Sequence, residues 1–205
     1  CTALTSILVM GELKELDCNY CTSLTSIPVL PKLETLYCNG LKALTSIPVM
    51  TELKKLDCEG CTGLTEILYF PKLKELNCAQ CKNLTTIPEI SSVEILYCEC
   101  CPKITCIPRL PKLKLLDCSR SISITSVHIF IDRLDCFFCD GCTWIDHKNA
   151  DFNQNIETLR KCQGIFRRKL TARKLENLIP SIIEIYYSPD CKGAKIAENS
   201  FLKQV

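Results

Sequence analysis

Apolar residues return at every twentieth position over about the first 145 residues of the chain. When each unit is numbered from its first leucine, positions 1, 4, 6, 9, 12, 15 and 18 hold buried-type side chains. The first two columns are Leu13, Leu33, Leu53, Leu73, Val93 and Leu113, then Leu16, Leu36, Leu56, Leu76, Leu96 and Leu116. A constant interval of this length predicts a solenoid, because each unit buries its apolar face only by stacking on its neighbours.

A seventh unit follows a one-residue insertion near residues 129–132 and begins at Leu134. We therefore predict two regions, a solenoid of about seven units over residues 1–147 and a helical cap over residues 148–205. Cys1 stands at position 9 of an incomplete first unit. Since solenoids usually shield their first open core with a polar capping unit, we expect natural sequence before Cys1.

The segment Leu-x-x-Leu-x-Cys predicts a short parallel strand in each unit, with positions 1, 4 and 6 turned toward the core. On the return side, Pro28, Pro48, Pro88 and Pro108 lack an amide donor and favour an extended path. The predicted fold is thus an α/β repeat, mostly β, with a parallel sheet on the concave side and almost no helix on the convex side.

The repeated pattern L-x-x-L-x-C-x-x-C-x-x-L-T-x-I-P resembles the leucine-rich repeat family, with cysteine where other members carry asparagine. The twenty-residue length is similar to the short repeats of bacterial secreted effectors. The cysteine content and the run IIEIYYSPDCKG resemble the repeat proteins of giant amoeba-infecting DNA viruses. Some effectors also carry a ubiquitin-ligase domain with a Cys-x-Asp nucleophile, but here Cys191 is followed by Lys192 and Gly193, so that activity is not carried over.

Composition restricts the cellular compartments and the classes of partner that we expect for this chain. The 25 basic and 23 acidic residues leave a formal charge of +2, which favours no nucleic-acid partner. The sequence has no apolar run of 18 residues and no visible signal peptide, so we predict no membrane span. Thirteen of the eighteen cysteines stand in the core columns of positions 6 and 9, and free, buried thiols imply a reducing compartment. We expect the cytoplasm, and the host-cell cytoplasm if the protein is viral.

Cysteine fills position 6, and position 9 holds cysteine except at Leu41 and Ser121. The two columns produce C-x-x-C pairs such as Cys58 with Cys61, a spacing also found in zinc sites. Leucine and serine replace cysteine as packing allows and metal ligation does not, so we interpret the thiols as core side chains and predict no metal or cofactor. Zinc binding and disulfides between adjacent units are the alternatives.

Nothing in the sequence assigns catalysis, and we predict that the chain is not an enzyme. A nucleophilic pair of His147 with Cys139 or Cys142 is conceivable from proximity alone, but both cysteines belong to core columns. The other histidine, His128, lies at the repeat insertion.

The concave strand face is the candidate binding surface, because its outward positions repeat without a packing role. Position 5 holds Asp17, Tyr37, Asp57, Asn77, Tyr97, Asp117 and Phe138. Tyr97, Ile95, Leu115 and Phe138 predict an apolar patch for a protein or peptide, although the last three could instead pack against the cap. Acidic residues at positions 5 and 7 suggest a basic partner. Four lysines at position 2 weaken that suggestion, namely Lys14, Lys54, Lys74 and Lys114.

Residues 156–173 of the tail predict a basic amphipathic helix, one of the helices of the predicted cap. The run CQGIFRRKLTAR loosely resembles the calmodulin-binding IQ motif, so this helix is also a candidate contact for a calmodulin-like protein. The residues of that contact would be Gln163, Phe166, Arg167 and Arg168.

The function that these observations favour is a non-enzymatic protein–protein interaction scaffold that binds a protein or peptide on the concave face. Three alternatives remain open: a substrate adaptor for a ubiquitin ligase, a calmodulin-binding regulator that works through residues 156–173, and a metal-dependent cysteine-rich protein.

Overall fold

The computed structural model describes residues 3–124, 126–127 and 134–142 of the chain. These residues form nine short strands and, within the described ranges, no helix. The strands are β1 (Glu15–Asp17), β2 (Thr35–Tyr37), β3 (Lys55–Asp57), β4 (Glu75–Asn77), β5 (Ile95–Tyr97), β6 (Cys106–Ile107), β7 (Leu115–Asp117), β8 (Ser126–Val127) and β9 (Cys136–Phe138).

Seven of these strands form one parallel sheet in the order β1-β2-β3-β4-β5-β7-β9. Leu16, Leu36 and Leu56 are direct partners in neighbouring strands, and the same register continues along the sheet. The last step pairs Leu115 with Cys136, which takes up the one-residue insertion. The predicted mostly-β solenoid is therefore confirmed: every turn of the coil returns one strand to the same sheet.

The core lies behind the sheet and consists of the repeated apolar columns. Leu36, Leu56, Leu76 and Leu96 at the strand centres are fully buried, as are the leucines of position 12. Phe70 is among the largest fully buried side chains. The interior is thus a continuous stack in which each unit covers the next, and it accounts for most of the fold's stabilisation through burial of apolar surface.

The thiols add hydrogen bonds to this packing. At position 9, the Cys61 and Cys101 sulfurs donate to the position-6 carbonyls of the preceding unit, at 2.9 and 3.1 Å. Ser121 takes the same place with its hydroxyl, which lies 2.7 Å from the Cys98 carbonyl oxygen. Ser121 therefore keeps at position 9 the donor that cysteine supplies, whereas Leu41 fills the same place by packing alone.

The return side is extended, as the prolines predict. It carries the two-stranded parallel pair β6–β8 and an isolated bridge between Glu66 and Thr86. Each unit also turns at position 8, where the backbone has positive φ at Tyr20, Gly40, Gly60 and Gln80. Glycine is favoured at such a turn because it has no Cβ to strain.

Several predictions fall on residues outside the described ranges. They include the helical cap over residues 148–205, the basic helix over residues 156–173 and the boundary between the two regions near residue 147. They remain predictions. Among the described residues, no helix has the length and apolar character needed to cross a membrane.

Candidate protein-binding face

Side chains at positions 3, 5 and 7 project from the outer surface of the sheet, which we call the strand face. In β2–β5 and β7 the central residue is buried, while the residues on either side of it are partly exposed. The register places the predicted position-5 residues side by side in one row, with a spacing of about 4.8 Å between strands. That row is Asp17, Tyr37, Asp57, Asn77, Tyr97, Asp117 and Phe138.

The strand face is acidic, although the whole chain is close to neutral. Positions 3, 5 and 7 of the seven strands hold eight carboxylates and one lysine. The carboxylates are Glu15, Asp17, Asp57, Glu59, Glu75, Glu99, Asp117 and Asp140, and the lysine is Lys55. Such a surface attracts basic groups and repels acidic ones.

Two of the four lysines of position 2 pair with glutamates of the same position. Lys54 pairs with Glu34 at 2.5 Å, and Lys114 pairs with Glu94 at 2.6 Å. These hydrogen bonds, together with the lysine charge, hold the pKa of Glu34 and of Glu94 below the ordinary value. Position 2 therefore contains ion pairs of its own beside the strand face.

Some position-5 carboxylates also have a structural task. An Oδ1 atom of Asp17, Asn77 and Asp117 accepts the backbone N–H two residues later, each at 3.0 Å. This Asx arrangement satisfies an amide at the end of the strand. Asn77 does the same work without a charge, so the negative charge of Asp17 and Asp117 is not needed for the turn. These outward positions thus carry a hydrogen-bonding role at the strand end without packing into the core.

The strand face differs between its two halves. In the N-terminal segment, defined as β2–β4, Lys55 Nζ lies 5.5 Å from the centre of the Tyr37 ring and 2.8 Å from Glu75 Oε1. The hydrogen bond to Glu75 raises the pKa of Lys55, and the charge of Glu75 adds to the effect. This segment therefore satisfies its aromatic ring and one of its carboxylates, Glu75, with a lysine of its own.

In the C-terminal segment, defined as β5, β7 and β9, apolar side chains surround one carboxylate. Ile95 and Leu115 are partners in position 3, and Asp117 stands between Tyr97 and Phe138 in position 5. Phe138 is 46% exposed. The predicted patch of Tyr97, Ile95, Leu115 and Phe138 is thus brought together, with Asp117 inside it.

Glu99 lies at the acidic side of this patch. Its Oε2 atom is buried and has no hydrogen-bond partner. Burial raises the pKa of Glu99, and the charges of Asp117, Glu59 and Asp57 add to that rise. Ala79, the small residue between Glu59 and Glu99 in position 7, is fully buried. The arrangement concentrates negative charge that no described basic side chain neutralises.

The cysteines offer no comparable site. The fifteen cysteines in the described ranges carry thiols and not disulfides, and twelve of them are buried. Burial raises the pKa of Cys18 to about 12 and that of Cys98 well above its ordinary value, so both thiols stay protonated and weakly nucleophilic at neutral pH. No group of three or more histidine, cysteine or acidic side chains among the described residues could hold a metal ion.

Two groups of candidate residues lie outside the described ranges. One consists of the histidines, His128 and His147, and the other is the calmodulin-like contact at Gln163, Phe166, Arg167 and Arg168. Comparisons with models of protein families, with curated proteins and with solved structures find no match for this chain.

Proposed function

We propose that this chain is a binding module of the leucine-rich repeat type, a non-enzymatic scaffold whose strand face, which we expect to be concave, binds another protein or a peptide. The observation that carries the proposal is the contrast between the two surfaces of one sheet. Behind the sheet the same few side chains recur in every unit, whereas the strand face changes from strand to strand. A surface that varies on a constant frame can be specific for one partner.

The composition of the strand face supports a macromolecular ligand. Tyr37, Tyr97 and Phe138 are aromatic side chains of the kind that protein interfaces favour. They lie in a field of eight carboxylates and one lysine, which would steer a basic partner toward the face.

Affinity purification of the full chain from its native cells tests this proposal. The double variant Tyr37→Ala, Tyr97→Ala removes both tyrosines of position 5 and should lose the bound partner. Tyr69→Ala is the matched control, since Tyr69 is a tyrosine of the return side that is 51% exposed. Partners that persist in the double variant would refute the choice of face, and loss of partners in the control as well would indicate a general defect.

Retention on calmodulin and co-purification with ubiquitin-ligase subunits would distinguish the alternatives. The calmodulin alternative depends on residues 156–173 and predicts calcium-dependent retention of the full chain, with loss of retention in the double variant Arg167→Ala, Arg168→Ala. The adaptor alternative predicts ligase subunits among the purified partners.

A further inference from the structure

The two segments of the strand face carry the same tyrosine–aspartate arrangement sixty residues apart. Tyr37 and Asp57 are neighbours in position 5 of β2 and β3, and Tyr97 and Asp117 are neighbours in position 5 of β5 and β7. The residue beside them in position 3 differs, because Lys55 stands in β3 and Leu115 stands in β7.

In the N-terminal segment, Lys55 shows how a cation lies beside the tyrosine–aspartate pair. The Lys55 ammonium lies over the Tyr37 ring at a distance within the range of cation–π attraction, about 6 Å. The charge of Asp57 also favours its protonated form. The Tyr37 ring and the Glu75 carboxylate therefore hold a cation supplied by the protein itself, and the charge of the neighbouring Asp57 adds attraction.

In the C-terminal segment the pair is kept and the cation is missing. No described lysine or arginine lies over the Tyr97 ring, and Asp117 forms no ion pair with a described residue. One oxygen of Asp117 accepts the Ser119 amide, which leaves the second oxygen for another donor. Lys114, the nearest lysine in sequence, is paired with Glu94.

We propose that Tyr97, Asp117 and Phe138 form a subsite for one basic side chain, an arginine or a lysine, carried by an apolar segment of the partner. The inference rests on the proposed function and names the partner's chemistry at this part of the strand face. The basic group lies over the Tyr97 ring and donates to Asp117. Aliphatic residues beside it in the partner cover Ile95 and Leu115.

Physical reasons favour this occupant over an uncharged apolar one. An uncharged segment would bury the carboxylate of Asp117 without a counter-charge, at a cost that a hydrogen-bonded cation avoids. A guanidinium group satisfies both requirements of the subsite, because it stacks on aromatic rings and donates two hydrogen bonds to a carboxylate. The acidic charge of the remaining strand face adds attraction at longer range.

Titration of the full chain with a labelled, terminally capped hexapeptide of alternating leucine and arginine tests the subsite by fluorescence anisotropy. A peptide with citrulline in place of arginine has nearly the same shape without the charge. We expect saturable binding of the arginine peptide, and binding at least about tenfold weaker for the citrulline peptide, which corresponds to one charge-assisted contact.

Two variants locate the binding. Asp117→Asn removes the charge and keeps the Asx turn, as Asn77 does, so the fold should persist while the arginine peptide binds about tenfold more weakly. Leu115→Lys supplies the chain's own cation, as Lys55 does, and should weaken binding at least as much. The matched control is Thr35→Lys, which adds the same charge to position 3 of β2 and should change binding less than about twofold.

Equal affinity for the arginine and citrulline peptides, or equal losses in Leu115→Lys and Thr35→Lys, would overturn the subsite. A dimer of the chain that Leu115→Lys dissolves would also overturn it, since a second copy would then be the occupant. These failures are separate from failure of the proposed function, because cellular partners could still depend on Tyr37 and Tyr97.

Discussion

The two segments of the strand face show how one backbone supports different surfaces. Both consist of three parallel strands in the same register, and both keep a tyrosine beside an aspartate. In the N-terminal segment, Lys55 lies over the tyrosine ring, and Glu75 neutralises the charge of Lys55. The C-terminal segment has Leu115 and Cys136 at those places. The difference teaches that substitutions outside the core change which groups of the strand face are satisfied while the repeating frame stays the same.

The largest expected effect is a loss of stability from core substitutions, which tests whether the cores beneath the two segments are equally well packed. Leu36 in β2 and Leu96 in β5 are both fully buried at strand centres. Leu36→Ala and Leu96→Ala should each lower the free energy of unfolding by about 2 to 5 kcal/mol, because each leaves a cavity in close-packed surroundings. Urea denaturation measures both values. If they differ by more than about 1.5 kcal/mol, the segments differ in their cores as well as on their faces.

A smaller loss of stability is expected from exchanging a residue of the strand face between the two segments. Lys55→Leu gives the N-terminal segment the residue of the C-terminal one and removes the ion pair to Glu75 and the contact with Tyr37. The loss of stability should be less than about 1 kcal/mol, since both charged groups are partly exposed.

The same variant should gain a second subsite at Tyr37 and Asp57. Calorimetric titration with the leucine–arginine hexapeptide would then show about two peptides per chain instead of about one, since two equivalent tyrosine–aspartate pairs would be open. An unchanged stoichiometry would mean that Lys55 is not what closes the N-terminal segment.

The smallest effect concerns pH. Burial raises the pKa of Glu99 above its ordinary value of 4.5, so its protonated form favours the folded state. This contribution is complete below 4.5 and is lost as pH rises through the folded-state pKa. Glu99→Gln should therefore be more stable than the parent at pH 7, by less than about 1 kcal/mol because the group is partly exposed, and equally stable at pH 4.

Glu94→Gln is the control with the opposite sign. The hydrogen bond from Lys114 lowers the pKa of Glu94, so its contribution is present above the ordinary value and is lost as pH falls. This variant should be less stable than the parent at pH 7, and the difference should vanish in acid. Thermal unfolding at the two pH values measures both variants, and the same sign for both would contradict the assignment of Glu99.

Much of the fold could be predicted from the spacing of the chain alone. A column such as Leu36, Leu56 and Leu76 repeats because every unit meets the same interior, so periodicity predicts burial, strand position and register together. The rows of the strand face followed from the same twenty-residue spacing, and Tyr97, Asp117 and Phe138 are neighbours in position 5 as that spacing predicts.

Interactions between side chains of different rows could not be predicted in this way. The lysines of position 2 looked like a counter-charge for the acidic face, yet Lys54 and Lys114 bond to glutamates in their own row. Lys55 could have paired with several acidic neighbours, and its choice of Glu75 and Tyr37 depends on rotamers and distances. The task of Asp117 as a turn acceptor depends on the local backbone path.

The sequence by itself determined the coil, its parallel sheet and the identity of its buried columns, because burial of apolar surface follows from periodic spacing and needs no knowledge of particular partners. Only the tertiary structure decided which charges on the strand face are satisfied. Ion pairs and hydrogen bonds depend on separations of a few ångströms between residues twenty positions apart, and a composition or a column carries no such distances. The open carboxylate of Asp117 beneath the tyrosine and phenylalanine rings is therefore a property of the folded chain.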